Sequence, residues 1–360
     1  MEQAQSRPLR ILTFSTLYPN AAQPNHGVFV ENRLRHLLET GCVEASVIAP
    51  VPWFPSGHRL FGRYAAFAEA PRHELRHGVA VQHPRYAVIP RFGMTLSPLS
   101  MYRAVRGTLR ELMREGRGFD LLDAHYFYPD GVAAALLASE FKMPFTITAR
   151  GTDINLIPRY RIPRRMILWA AGQADALITV CEALKDELIA LGVGGEKVRT
   201  LRNGVDLEMF RPVPRPEARE RLALEGRVLL SVGALIARKR HDLVIRALPL
   251  IENATLLIAG EGPELAALRH LACGLGVENR VRFLGGVPHR QLAEIYTAAD
   301  VLVLASSREG WANVLLEAMA CGTPAIATKV WGAPEVIRGE AAGRLLDQAT
   351  PEGLADAVRL

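Results

Sequence analysis

The 360-residue sequence has no apolar run close to the roughly 18 residues a helix needs to cross a bilayer, so no helical membrane span is expected. The apolar stretch Ile11–Leu17 is short and has no cleavage site behind it. It reads as a first strand, not as a signal peptide. Cysteine is scarce: Cys42, Cys181, Cys273 and Cys321 are far apart and form no Cys-x-x-Cys. That argues against a disulfide scaffold or a zinc site and fits a reducing cytoplasm. No Asp-x-Asp occurs, so a divalent metal held by paired carboxylates is not indicated. No Gly-x-Gly-x-x-Gly follows a strand, since Gly260-Glu-Gly262 lacks the third glycine. The signature of a dinucleotide-dependent dehydrogenase is therefore missing. There is no internal repeat and no low-complexity tract.

What is present is ordinary in bulk and uneven in charge. The apolar fraction of 49% and charged fraction of 22% suit a globular chain, and the length suits two domains. The net charge is +6. Up to Arg202 there are 25 Lys+Arg against 18 Asp+Glu, and beyond it 18 against 19, so the surplus lies in the first half. It is densest at Arg159, Arg161, Arg164 and Arg165, which precede the apolar Met166–Trp169. Such a segment can rest on an anionic membrane surface or form a solvated helix face with a buried side. Nothing points to nucleic acid.

Short apolar runs alternate with amphipathic stretches twice along the chain. Strands are expected at Arg10–Ser15, Glu44–Ala49, Val79–Arg85, Leu121–Ala124, Phe145–Thr148 and Leu177–Val180. Helices are expected at Val28–Leu38, Leu99–Glu115, Gly131–Phe141 and Glu182–Leu191. The segment Arg211–Pro216, with three prolines, reads as a stiff linker. The alternation then resumes from Val228 to Thr328. Strand–helix alternation implies parallel sheets covered on both faces. The expected architecture is α/β, with two doubly wound Rossmann-like domains at 1–205 and 226–360, a linker at 206–225 and an interdomain cleft. Gly353–Leu360 ends inside a helical pattern with no stop signal, so terminal helices are expected to be missing. Ligands of such sheets sit beyond the carboxyl ends of the strands.

The most informative loop is Ser306–Glu317. Glu309 lies in the loop and Glu317 about one turn into the following helix. Gly310 permits a sharp turn, Asn313 can cap the helix, and Gly322-Thr323-Pro324 stops it. Carboxylates accept paired hydrogen bonds from sugar hydroxyls, and N–H groups at a helix start bind phosphate. A ligand carrying both groups satisfies the loop.

This pattern resembles the family 4 glycosyltransferases, retaining enzymes of the two-domain GT-B fold, whose Glu-x7-Glu element is matched by Glu309 and Glu317. The resemblance covers nearly the whole chain. It implies a nucleotide-sugar donor such as a UDP- or GDP-sugar, with Glu317 on the ribose and Glu309 near the donor sugar. Ser231–Lys239 resembles the loop that holds the donor pyrophosphate. Lys239 matches the family Lys, Ala234 stands where an Arg is usual, and Arg238 is the neighbouring cation. Gly233, Gly260 and Val287 fall in strand-end loops that line the nucleotide. Gly332-Ala-Pro-Glu335 resembles a sugar-side segment, which makes Glu335 a candidate contact. In the first half Asn25-His26-Gly27 resembles the loop whose Gly27 N–H faces the donor phosphate. Thr148–Asp153 carries Arg150 where relatives have His, so this residue cannot be a general base. Asp123, His125, Arg150 and Asp153 fall on the acceptor or sugar side. Asn203-Gly-Val-Asp206 reads as a tight turn with an Asx cap.

The implied enzyme is a metal-independent hexosyltransferase without a cofactor. It would move a sugar to a saccharide or lipid-linked saccharide in cell-surface polysaccharide synthesis, in the cytoplasm or peripherally on the inner face of its membrane. A sugar-nucleotide epimerase of the same fold and a catalytically silent nucleotide-sugar-binding protein remain open alternatives.

Overall fold

The computed structural model describes residues 7–58, 60, 64–88 and 93–359. The chain divides into two compact units, Met1–Arg202 and Asn203–Leu360.

The first unit contains strands β1 (Leu9–Phe14), β2 (Val43–Ile48), β3 (Val51–Pro52), β4 (His73–Arg76), β5 (Val79–Gln82), β6 (Arg85–Tyr86), β7 (Leu121–His125), β8 (Phe145–Ala149), β9 (Ala176–Thr179) and β10 (Val198–Thr200). Its helices are α1 (Val28–Glu39), α2 (Ala65–Glu69), α3 (Gly93–Arg114), α4 (Val132–Phe141), α5 (Thr152–Asn155), α6 (Arg161–Gln173) and α7 (Glu182–Ala190). Eight strands form one sheet in the order β10-β9-β8-β7-β1-β2-β5-β4. Only the edge strand β4 is antiparallel to its neighbour. The strand expected over Val79–Arg85 is two strands. Pro84 has no N–H to give a ladder, and β6 pairs with β3 instead of continuing the main sheet.

The second unit contains α8 (Arg215–Arg221), β11 (Arg227–Val232), α9 (His241–Ala247), β12 (Ala254–Ala259), α10 (Leu265–Gly274), β13 (Val281–Gly285), α11 (Leu292–Ala298) and β14 (Val301–Leu304). These are followed by α12 (Asn313–Ala320), β15 (Ala325–Thr328), α13 (Ala333–Val336), β16 (Gly343–Leu346) and α14 (Pro351–Arg359). The six strands are parallel, in the order β13-β12-β11-β14-β15-β16. Alternate residues of one strand feed opposite cores. Val228, Leu230 and Val232 of β11 join one buried cluster, and Leu229 joins the other. Buried apolar residues on both sides of one strand are what a sheet covered on both faces requires. The strand order reverses between β11 and β14, so the loops after these two strands diverge and leave a crevice at their carboxyl ends.

The proline-rich segment is not a free linker. Pro214 precedes α8 and Pro216 lies in its first turn, where a missing N–H costs nothing. Phe210, Ala218 and Leu224 are buried in the second unit's core. Residues 203–225 therefore belong to that unit, and the boundary falls at Arg202/Asn203, not after 205. Asp206 makes the expected Asx turn, its Oδ1 accepting the N–H groups of Glu208 and Met209 at 3.0 Å each. Replacing Phe210 with Ala should cost about 3–5 kcal/mol in urea unfolding, the range for a buried aromatic. A free linker predicts no measurable change.

Candidate active site

The loops after β11 and β14 bring together three charged residues of the second unit. The loop after β11 carries Arg238 and Lys239, and the loop after β14 carries Glu309. The Lys239 Nζ lies 2.6 Å from Glu309 Oε1, and an Arg238 guanidinium nitrogen lies 3.1 Å from Oε2. The loops are also joined through backbone. Ser307 N–H donates to the Arg238 carbonyl at 2.9 Å, and the Arg238 side chain donates to the Arg308 carbonyl at 2.6 Å. Glu309 is 7% exposed. Burial alone would raise its pKa, but the charges of Lys239 and Arg238 outweigh it and hold the carboxyl below its ordinary value of 4.5. Gly310 follows, and its carbonyl accepts from Gly332 N–H at 3.3 Å. That bond brings the start of α13, with the half-buried Glu335, beside the loop.

Glu317 lies one turn inside α12 and is equally buried. Its Oε2 accepts from the Tyr296 hydroxyl at 2.7 Å and its Oε1 from His289 Nε2 at 3.0 Å. The carboxylate can only accept, so His289 Nε2 carries the proton. Asn313 does not cap α12. Ala312 holds the cap position and Asn313 is the first helical residue, its Oδ1 accepting from Asn203 Nδ2 at 3.2 Å. Val287 packs half-buried on the core and leads through Pro288 into the turn that carries His289.

Gly233 and Gly260 have φ of 148° and 151°, and a Cβ on Gly260 would stand 1.9 Å from the Gly233 carbonyl oxygen. A Cβ on Gly262 would stand 2.4 Å from the Leu235 oxygen. These glycines were expected to admit a ligand. The structure uses them first to let the loops after β11 and β12 pack on each other.

In the first unit Gly27 opens α1 at φ 71°, and a Cβ there would lie 2.3 Å from the Leu17 carbonyl. Only glycine lets this loop return to the end of β1. Asp123 and His125, at the end of β7, are buried in a network with Arg33 and Arg150. The Arg150 guanidinium donates to His125 Nδ1 at 2.7 Å, so Nδ1 is unprotonated and Nε2–H faces Asp123 Oδ2 at 3.1 Å. Burial, opposed by Asp123 and aided by Arg150, brings the His125 pKa down to about 4, which leaves it neutral near pH 7. Its one lone pair is taken, so it is placed to hold the strand ends together and not to accept a proton. Asp153, expected on the sugar side, is fully buried, and its carboxylate accepts the N–H groups of Phe127, Arg150 and Gly151. It shapes the loop after β8.

Two partners of Glu317 escaped the sequence reading: Tyr296 and His289. A tyrosine in the buried register of a short helix needs a hydroxyl partner, and Glu317 is a buried acid; that pairing was the available signal.

Two family models match this chain. The one described as Glycosyltransferase Family 4 spans residues 27–209, and the one described as Glycosyl transferases group 1 spans residues 214–360. The chain belongs to the family 4 glycosyltransferases. This glycosyltransferase is 32% identical over 386 aligned residues to D-inositol 3-phosphate glycosyltransferase 1 of Catenulispora acidiphila, covering 98% of this chain and 87% of that one. It is 27% identical over 357 residues to the putative teichuronic acid biosynthesis glycosyltransferase TuaC of Bacillus subtilis, covering 97% and 88%. Its fold is that of the Anabaena protein HepE, solved in complex with UDP-glucose, at a TM-score of 0.73 and 21% identity, covering 97% and 88%. The expected GT-B class of two Rossmann-like domains is thereby confirmed.

The depressed Glu309 pKa links the cluster to acid stability. A carboxyl with a lowered folded pKa stabilises above its unfolded value and loses that contribution as pH falls through the folded value. The stability advantage of wild type over Glu309→Gln should therefore shrink as pH drops below about 4.5 in urea titrations. A constant difference from pH 7 to 3 would contradict the ion-paired state.

Proposed function

We propose that this glycosyltransferase takes a sugar from a UDP- or GDP-sugar and transfers it, with retention of anomeric configuration, to a saccharide or lipid-linked saccharide. The observation that carries this reading is the Lys239–Glu309–Arg238 cluster at the β11/β14 crevice, with Glu317 on the next helix. Lys239 and Arg238 hold the donor pyrophosphate without a metal, and N–H groups around Gly233, Gly310 and Asn313 assist. Glu317 accepts from the ribose hydroxyls, and Val287 and Gly260 border the base. When the two cations turn to phosphate, Glu309 is released to orient the donor sugar. Glu335 supports the sugar side.

In the reaction the bond from the anomeric carbon to the pyrophosphate oxygen breaks, and the acceptor oxygen bonds to that carbon on the same face. The acceptor proton passes to the departing phosphate oxygen. Negative charge grows on the leaving group, so fixed cations stabilise the transition state more than the ground state. Retention by this route needs no protein base, which agrees with a neutral His125 whose lone pair is occupied.

The relative TuaC is named for teichuronic acid biosynthesis, and HepE was solved with UDP-glucose. The first supports a polysaccharide-synthesis setting and the second a nucleotide-sugar donor. Peripheral work at the inner face of the cytoplasmic membrane is part of the proposal. No helix among the described residues is long and apolar enough to cross a membrane. The exposed side of α6 shows Ile162 and Trp169 beside Arg161, Arg164 and Arg165, a pairing suited to an anionic lipid surface.

A thermal-shift panel of UDP, GDP, ADP and their sugars identifies the donor, because a bound ligand raises stability by mass action. Glu317→Ala should then weaken binding of the selected nucleotide roughly 10- to 100-fold, at about 1.5–3 kcal/mol per charged hydrogen bond. Glu309→Ala should lower turnover without weakening nucleotide affinity, which rises if anything because Lys239 and Arg238 are no longer held by the carboxylate. Unchanged affinity in Glu317→Ala overturns the ribose assignment.

A further inference from the structure

Glu317 is held by a bracket that no motif describes. The Tyr296 side chain is wholly buried, and its hydroxyl donates to Glu317 Oε2 at 2.7 Å. The other end of the same residue is also fixed: its backbone carbonyl accepts from Thr323 Oγ1 at 2.6 Å. Phe210 packs edge-on against the Tyr296 ring at 6.1 Å between centroids. α11 is thus braced twice, by its tyrosine hydroxyl bonded to α12 and by the threonine hydroxyl of the turn after α12.

The two oxygens of Glu317 have different surroundings. Oε2 meets a donor in the closed interior. Oε1 meets His289, which is 27% exposed, sits on a short turn and packs on Phe210 at 4.9 Å. A carboxylate oxygen accepts two hydrogen bonds, so Oε1 keeps room for a hydroxyl beside His289. The tyrosine thereby fixes the plane of the carboxylate and decides which oxygen faces outward. Burial and the neighbouring Glu317 keep the phenol protonated, so it remains a donor throughout the working pH range.

We infer that Tyr296 is a positioning residue for donor binding, fixing Glu317 so that Oε1 is presented to one of the nucleotide's ribose hydroxyls. The inference rests on the proposed role of Glu317 at the ribose. Tyr296 touches no ligand in this account. Its effect reaches the nucleotide through the carboxylate alone, so it appears in affinity and not in the chemical step.

The test measures calorimetric Kd for UDP, or for GDP or ADP if the thermal-shift panel selects one of them, together with kcat at saturating donor. Tyr296→Phe, Glu317→Gln and the double variant are compared. Tyr296→Phe should raise Kd roughly 10-fold with kcat unchanged, as for a lost hydrogen bond to a charged group. In the Glu317→Gln background the same change should add little, because residues that act as one unit are not additive. Thr323→Val loosens the bracket from the backbone side and should raise Kd by a smaller factor, which keeps the test open if Tyr296→Phe folds poorly. An unchanged Kd in both Tyr296→Phe and Thr323→Val, or fully additive losses in the double variant, overturns the positioning role. If Glu317→Gln itself leaves Kd unchanged, the ribose assignment fails first and the inference with it. A weakened Glu317→Gln beside an unaffected Tyr296→Phe and an unaffected Thr323→Val overturns the inference alone.

Discussion

The second unit is organised around one electrostatic requirement: a buried carboxylate, Glu309, must be neutralised by cations from a different loop. An unpaired buried carboxylate would cost several kcal/mol or take up a proton. Lys239 and Arg238 prevent both. They can do so only because β11 and β14 are neighbours whose following loops diverge, which is a property of the strand order. The glycines at 233 and 260 belong to the same constraint, since the close approach of neighbouring strand-end loops leaves no space for a side chain. On the proposed function, a donor pyrophosphate competes with Glu309 for Lys239 and Arg238, which would make donor binding and release of the carboxylate one event.

A second organising element is the double bracing of α11, and the first unit has a counterpart. There His125 is fixed between Arg150 and Asp123, and Asp153 collects three backbone N–H groups. In both units charged side chains at the carboxyl ends of the strands are paired with one another. This pre-organisation spares a ligand the cost of ordering them.

Much of this was legible in the sequence where it depended on local pattern. Apolar strands alternating with amphipathic helices, and Glu309 and Glu317 placed around a strand-end loop, follow from spacing. Resemblance added the proposed roles of Lys239 and Glu317. Features that depend on long-range pairing were not legible. The prolines at 214 and 216 looked like a spacer, because nothing local shows Phe210 entering the core. Asn313 looked like a cap, because a helix start is defined by backbone angles and not by residue type. Asp153 looked like a sugar contact, whereas its carboxylate closes a loop. Tyr296 and His289 lie 21 and 28 residues before Glu317 and meet it only through the packing of separate helices and turns.

The most direct test of the central claim is a crystal structure of the full chain with the nucleoside diphosphate that stabilises it most. The account predicts ribose hydroxyls on Glu317, pyrophosphate oxygens on Lys239 and Arg238, and a Glu309 carboxylate parted from Lys239. A nucleotide bound elsewhere, or one bound with the Lys239–Glu309 pair intact and phosphates away from both cations, would contradict it.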